Sequence, residues 1–120
     1  MKLQGIVLFS ENPQQLIEFY SKVLQKDPDW KGGDFVGFGL ENEFLVIGPH
    51  DKVHGLNTQP ERIMINFETD DVQGEFERIR NLGAKVIAEP YHPAEEDQMW
   101  LCTLEDPDGN FFQLGSPITI

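Results

Sequence analysis

The sequence predicts an α+β fold built from two βαβββ repeats, whose curved mixed sheets surround a central groove with the helices outside. Three observations predict this fold. Apolar strand-like runs alternate with two amphipathic helices, both halves share one order of elements, and a polar turn followed by an apolar strand closes each half. Within a single domain of 120 residues, the first repeat covers residues 1–48, the linker 49–61 and the second repeat 62–120.

The first repeat begins with an apolar run from Leu3 to Phe9, which is rich in strand-forming residues. The segment Ser10 to Pro13 then offers a helix cap with proline in the first turn. The predicted helix carries one apolar stripe at three- and four-residue spacing, formed by Leu16, Ile17, Tyr20, Val23 and Leu24. After a glycine-rich connection, FVGFGL and FLVIG predict two strands, with one more short strand near Trp30.

The second repeat restarts the pattern after a polar linker without periodicity. Its first strand alternates Ile63, Ile65 and Phe67 with Met64, Asn66 and Glu68. Asp71 lies in the predicted cap of a helix, and the apolar stripe of that helix consists of Phe76, Ile79 and Leu82. The helix is expected to end at Gly83, and residues 84–88 form the next predicted strand.

The segment Leu104 to Gly115, LEDPDGNFFQLG, has a strong turn signal between two apolar runs. Pro107 presets the backbone φ, and Asp106 and Asp108 can bond to nearby backbone groups. Gly109 accepts the positive φ that a tight turn requires. The segment therefore predicts a hairpin that closes the chain.

Composition excludes several classes of function. The net charge of −12 repels phosphate backbones and anionic membranes, so neither nucleic acid nor a membrane is an expected partner. The charge serves either solubility or the attraction of a cationic ligand. No segment is long enough to span a bilayer and the N-terminal apolar run is too short for a signal peptide, so a cytoplasmic location is expected. The single cysteine, Cys102, lies in an apolar run, which favours buried packing over reactivity.

This organisation, together with ENPQQLIEFYSKVL near the start and LEDPDGNFFQL near the end, resembles the vicinal oxygen chelate superfamily. That superfamily includes glyoxalase I, extradiol dioxygenases, fosfomycin-modifying enzymes and bleomycin-binding resistance proteins. The resemblance covers nearly the whole chain. It implies the paired repeats, a homodimer and a small-molecule site in the groove.

Enzymes of the superfamily hold a divalent metal through one residue from the first strand and one from the last strand of each repeat. The resemblance places these positions at Gly5, Val46, Met64 and Gln113. Only Gln113 offers an oxygen, whereas divalent ions need several histidine or carboxylate ligands. We therefore expect no metal and no other cofactor, and no metal-dependent isomerase, dioxygenase or thiol-transferase chemistry.

Strand alternation predicts a groove of mixed aromatic and polar character, in which apolar faces supply contact area and polar groups fix orientation. The predicted ligand-binding residues are Phe9, Val46, Met64, Asn66, Glu68, Trp100, Phe111 and Gln113. Trp100, with Tyr91 and Met99, flanks the acidic residues 95–97 and could form a mouth for a cation. The alternative is that Trp100 packs in the core and the acidic loop is solvated.

The predicted function is that of a metal-independent small-molecule binding protein of the glyoxalase/bleomycin-resistance type, sequestering a cationic or aromatic compound. One alternative is a lyase, isomerase or dioxygenase-like enzyme of the superfamily with an atypical site, in which a buried Glu68 acts as general base. Another is a regulatory module that uses its surface. No catalytic residue is assigned.

Overall fold

The computed structural model describes residues 1–94 and 98–118, and within these ranges it contains two modules of one helix and four strands. The first module consists of β1 (Gly5–Phe9), α1 (Pro13–Leu24), β2 (Trp30–Gly32), β3 (Phe35–Gly39) and β4 (Phe44–Gly48). The second consists of β5 (Ile65–Glu68), α2 (Val72–Asn81), β6 (Lys85–Tyr91), β7 (Leu101–Glu105) and β8 (Phe111–Gly115). The α+β fold with two βαβββ modules is thereby confirmed.

Each module builds its own mixed four-stranded sheet. The strand order is β1-β4-β3-β2 in the first module and β5-β8-β7-β6 in the second. In both, the first strand pairs in parallel with the last, and the remaining pairs are antiparallel. The chain divides into two compact units, residues 1–55 and 56–120.

The core of the first module lies between α1 and one face of its sheet. Leu16, Tyr20 and Val23 of the predicted stripe are buried, and α1 packs on β4, where Leu45 and Ile47 are buried as well. The turn from β1 into α1 is fixed by Ser10, which is fully buried. Its N–H donates to the carbonyl of Gly48 at 3.0 Å, and its hydroxyl accepts from the N–H of Asn12 at 2.9 Å. This bond network holds the start of the helix against the last strand.

The core of the second module forms in the same way, with two corrections to the expected apolar positions. Val72, Phe76 and Ile79 of α2 are buried, but Leu82 is 42% exposed because the helix ends at Asn81 and Leu82 is only its C-cap. Ile63, which the strand alternation places in one row with Ile65 and Phe67, is 74% exposed. It lies outside the sheet, because pairing with β8 begins at Ile65.

The predicted turn between β7 and β8 is confirmed. The Asp106 carboxylate is buried and accepts the backbone N–H groups of Asp108 and Asn110 at 2.9 and 3.0 Å, while Gly109 has φ of 80°. The linker residue Asn57 contacts this turn. Its backbone N–H donates to the backbone carbonyl of Asp108 at 2.8 Å, and its side-chain N–H donates to the side-chain oxygen of Asn110 at 3.0 Å. The end of the linker is therefore part of the second module.

Cys102 lies in β7 and is buried, as predicted. Burial raises the pKa of its thiol to about 11, so the reactive thiolate is scarce near neutral pH. None of the helices in the described ranges has the length and apolar character that a bilayer-spanning segment needs.

Candidate ligand-binding site

One row of residues crosses the whole first sheet on the face opposite α1. Trp30 of β2 pairs with Gly37 of β3, Gly37 with Val46 of β4, and Val46 with Val7 of β1. Because side chains alternate across a strand, this row shares one face of the sheet, which we call the open face. Trp30 is 52% exposed there, so a large apolar surface is accessible to solvent.

Glycines and aromatic residues alternate in the rows on either side. Phe44 lies between Gly5 and Gly39 in the register of neighbouring strands. Phe35 pairs with Gly32 on one side, and its ring fills the space over Gly48 on the other. The space left by the missing glycine side chains is taken up by neighbouring groups: the Phe44 carbonyl at Gly5, the Asp29 carboxyl at Gly39 and the Trp30 indole at Gly32. The indole therefore lies close to the backbone of the sheet, at the pocket described next.

The open face contains an apolar pocket of about 400 Å³, which we call the first-sheet pocket. Its lining residues are Gln4, Gly5, Ile6, Val7, Trp30, Gly37, Phe44 and Val46. None of these described lining residues carries a formal charge, and Gln4 supplies the side-chain polar group. Trp30 and the 49% exposed Phe44 are its aromatic members, each standing beside a glycine. Such a lining suits an apolar or aromatic part of a small molecule.

A larger cavity of about 810 Å³ runs along α1 and the β2–β3 hairpin. Its lining includes Glu18, Lys31 and Asp34, all exposed, and it lies on the other side of the first module from the open face. We favour the smaller pocket as the ligand site, because its lining is apolar and built from strand residues in fixed register.

The positions at which the resemblance implies metal ligands do not fit a divalent ion. A Cβ at Gly5 would overlap the backbone carbonyl of Phe44, so this position has no room for a ligating side chain. Val46 and Met64 offer no hard donor atom. Gln113, whose side-chain N–H donates to the Thr103 hydroxyl at 3.0 Å, offers one neutral amide oxygen, which alone cannot hold a divalent ion. Among residues 1–94 and 98–118, no group of three His, Cys, Asp or Glu side chains could hold a metal ion.

The second sheet carries the corresponding row, and its character is polar. Asn66 of β5 pairs with Gln113 of β8, Gln113 with Thr103 of β7, and Thr103 with Ala88 of β6. The amide of Asn66 donates to the carbonyl of Met64 at 3.4 Å, at the long end of hydrogen bonding. The two modules therefore place different chemistry on equivalent strands.

The predicted site residues fall into separate groups. Val46 lines the first-sheet pocket, whereas Phe9 lies beside it, with its ring in edge contact with Phe35 at 6.1 Å and with His50 at 5.0 Å between centroids. Asn66 and Gln113 are register partners in the second sheet. Met64, Glu68 and Phe111 belong to the same module, and Glu68 is exposed.

Trp100 is half-buried, and its ring lies against that of His92 with centroids 3.9 Å apart and planes tilted by 40°. Its backbone N–H donates to the hydroxyl of Ser116 at 2.9 Å, and the ring of His92 bonds the carbonyl of Met99 at 2.8 Å. These contacts fix the start of β7. The acidic residues 95–97 of the predicted mouth lie outside the described residues, so that prediction stays open.

Sequence reasoning missed Gly5, Gly37 and Phe44 as pocket residues, and it assigned Trp30 only to a short strand. The signal that could have found them is the alternation of glycine with aromatic residues in FVGFG, followed by FLVIG in the next strand. Glycine at every second position of a paired strand leaves one face without side chains, which favours a cavity there.

Comparison with known proteins agrees with this architecture. The chain superposes on a glyoxalase/bleomycin resistance protein/dioxygenase family enzyme from Burkholderia phytofirmans PsJN with a TM-score of 0.78, at 17% identity, covering 98% of this chain and 100% of that one. For a glyoxalase-related enzyme from Fulvimarina pelagi the TM-score is 0.77, with 14% identity and coverage of 97% and 88%. For the fosfomycin resistance protein FosX from Listeria monocytogenes the TM-score is 0.68, with 16% identity and coverage of 98% of this chain and 93% of that one.

At these identities the structural similarities show the fold alone. A search of curated proteins found no match by sequence. The family model of the glyoxalase-like domain, however, matches residues 5–115, which is nearly the entire chain and includes both modules. The chain therefore belongs to the glyoxalase-like domain family of the vicinal oxygen chelate superfamily.

Proposed function

We propose that this protein is a metal-independent small-molecule binding protein, which holds an apolar part of its ligand in the first-sheet pocket. One observation carries the proposal. Gly5 and Val46, the two first-module positions at which the resemblance implies metal ligands, both line this apolar pocket. Where the superfamily's enzymes would coordinate an ion, this chain offers contact area to an organic group.

The size and chemistry of the pocket support this role. A volume of about 400 Å³ lies within the range of roughly 300–1,000 Å³ that is usual for small-molecule sites. Burial of apolar ligand surface contributes about 25 cal/mol per Å², so an uncharged pocket of this kind derives its affinity chiefly from contact area. The amide of Gln4 at the edge can orient one polar group of the ligand.

Charge acts on the ligand at longer range. The net charge of −12 favours the approach of a cation over an anion, while the pocket lining itself has no charged group. The same ring system should therefore bind more tightly with a positive than with a negative substituent, and the difference should shrink as salt is added. A ligand that is aromatic and a ligand that is cationic are therefore both consistent with this expectation.

The enzymatic alternative gains no comparable support. It requires a buried Glu68 as general base, and the structure exposes this side chain at the end of β5. The similar proteins from Burkholderia phytofirmans and Fulvimarina pelagi are described as enzymes, but they share no more than 17% identity with this chain. The homodimer implied by the resemblance remains a prediction, to be measured by native mass spectrometry.

The test uses the two tryptophans, Trp30 in the pocket and Trp100 in the second module. Each gives one indole N–H signal in a proton–nitrogen NMR spectrum of the whole chain, and Trp30→Phe assigns them. Titration with 2-naphthylmethanol should shift the Trp30 signal and leave the Trp100 signal in place. If neither signal moves up to the solubility limit of the probe, the pocket is not a ligand site.

Metal independence is tested separately. The protein is mixed with Zn²⁺ or Mn²⁺, dialysed, and examined by native mass spectrometry. We expect a chain without bound ion, and an unchanged naphthylmethanol titration in excess EDTA. Retention of one ion per chain that is lost in Gln113→Ala would overturn the proposal and restore the metal chemistry of the superfamily.

A further inference from the structure

The indole of Trp30 lies down on the sheet because two glycines leave room for it. A Cβ added at Gly32, two residues along β2, would lie 2.6 Å from the indole Cζ2 and 2.9 Å from Cη2. A Cβ added at Gly37, the cross-strand partner of Trp30, would lie 3.2 Å from Cε3. Real Cβ atoms essentially never approach below 3.0 Å, so the observed position of the ring requires glycine at position 32.

The backbone on either side of Trp30 is fixed as well. The N–H of Asp29 donates to the carbonyl of Gly37 at 2.9 Å, and the Asp29 carboxylate accepts from the N–H of Gly39 at 2.6 Å. Lys26 forms an ion pair with the same carboxylate at 2.6 Å. The pKa of Asp29 is lowered, chiefly because its carboxylate accepts a hydrogen bond from the Lys26 ammonium and also because it accepts one from the Gly39 N–H and lies beside the Lys26 charge. The carboxylate is therefore ionised near neutral pH. The edge strand therefore presents Trp30 in one position before any ligand arrives.

We propose that Gly32 and Gly37 determine ligand specificity by seating Trp30 against the sheet, so that the first-sheet pocket selects a planar aromatic ring. This inference rests on the proposed function and adds the ligand class to it. A low, half-exposed indole offers an aromatic surface beside the pocket, and Phe44 supplies a second ring in its lining. Aromatic groups prefer offset or edge-to-face contact with such rings, which a saturated group cannot make.

Two features of the lining argue for a planar ring over an aliphatic chain. Gly5 and Gly37 line the pocket without side chains, so no side chain projects into it from these two positions. Val7 and Val46 lie side by side in the parallel pair and form a stiff, branched floor. A flat ring can contact this floor and the indole at once, whereas a puckered ring of equal carbon number contacts fewer atoms.

The experiment compares two probes with the same carbon skeleton, 2-naphthylmethanol and its saturated decahydro analogue. Dissociation constants are measured on the whole protein from the backbone signals of Gly37 and Val46. Aromatic contacts of this kind contribute about 0.5–1.5 kcal/mol, so the wild type should bind the planar probe roughly two- to tenfold more tightly.

Gly32→Ala is the decisive variant, because Gly32 touches the indole and is absent from the described lining of the pocket. It should abolish the preference for the planar probe while the affinity for the saturated probe changes less than twofold. Gly115→Ala is the control, in a strand of the second module: its Cβ would meet the Leu101 Cδ2 atom at 3.0 Å and no atom of Trp30, so the preference should persist.

Trp30→Leu provides an independent check that does not depend on how Gly32→Ala folds. It keeps an apolar side chain at position 30 and removes the indole, so the preference for the planar probe should fall below twofold, the part left to Phe44. A planar preference that survives in Gly32→Ala and in Trp30→Leu would overturn the inference and leave the pocket proposal intact. Failure of both probes to bind the wild type would instead refute the proposed function itself.

Discussion

Replacing Gly5 by alanine should destabilise the protein, although alanine is the better residue in most strands. Glycine in a strand costs roughly 0.5–1 kcal/mol relative to alanine because the unfolded chain is freer, so an unhindered Cβ would be stabilising. At Gly5 the Cβ would overlap the carbonyl oxygen of Phe44, which belongs to the backbone of the paired strand β4. Overpacking of this kind costs about 1–3 kcal/mol, and a backbone atom cannot turn away as a side chain can.

The net loss should therefore be about 1–2 kcal/mol in the free energy of unfolding, which corresponds to roughly 4–8 °C in Tm for a chain of this size. Urea unfolding followed by circular dichroism measures it, with Gly37→Ala as control. At Gly37 the new Cβ would meet a side-chain atom of Trp30 at 3.2 Å, and the indole can move away from it. The free energy of unfolding should therefore change by no more than about 0.5 kcal/mol. Equal stability of Gly5→Ala and wild type would refute the argument from backbone overlap.

Three further expectations concern caps and ionisable groups. Asp71→Ala should lower the free energy of unfolding, measured in urea, by about 1 kcal/mol, because the Asp71 carboxylate caps α2. Asn12→Ala should lower it by less, since Asn12 makes no side-chain cap bond. Buried Cys102 should resist a thiol reagent at pH 8 until the protein unfolds. Because its pKa is raised to about 11, the thiol loses its proton at lower pH in the unfolded chain than in the folded one. The contribution of Cys102 to the free energy of unfolding therefore falls as pH rises from about 9 to 11. The hydrogen bond from His54 lowers the pKa of Glu11, so carbon-detected NMR should find Glu11 titrating below its ordinary value and moving upward in His54→Ala.

The features that could be predicted from the sequence are those fixed by local chemistry. The stripe on α1 depends on residues three and four apart, and its centre, Leu16 to Val23, is buried as expected. The turn around Asp106 forms because one carboxylate can reach two N–H groups within four residues. The ends of elements could not be predicted as well. Ile63 lies two positions before β5 and Leu82 one position after α2, and periodicity alone does not show that the element excludes them.

The geometry of the pocket could not be predicted, because it comes from pairing between residues that are distant in the sequence. Gly5 meets Phe44 only through the parallel register of β1 with β4, and Trp30 meets Gly37 only through the β2–β3 hairpin. The sequence shows each glycine as a flexible residue, and only the register shows which ring stands beside it. For the same reason, the metal-ligand positions could be assigned by resemblance, but the closure of position 5 by the Phe44 carbonyl could not.

The row of residues across the first sheet is apolar and the corresponding row across the second sheet is polar, and this difference bears on how such a protein can evolve. Each row is formed by strands of one module only. Val7 pairs with Val46 in the first module, and Asn66 pairs with Gln113 in the second. A substitution in one row therefore leaves the partners of the other row unchanged. Two modules of the same architecture offer selection two versions of one surface, and one version can acquire a new chemical preference while the other keeps its own.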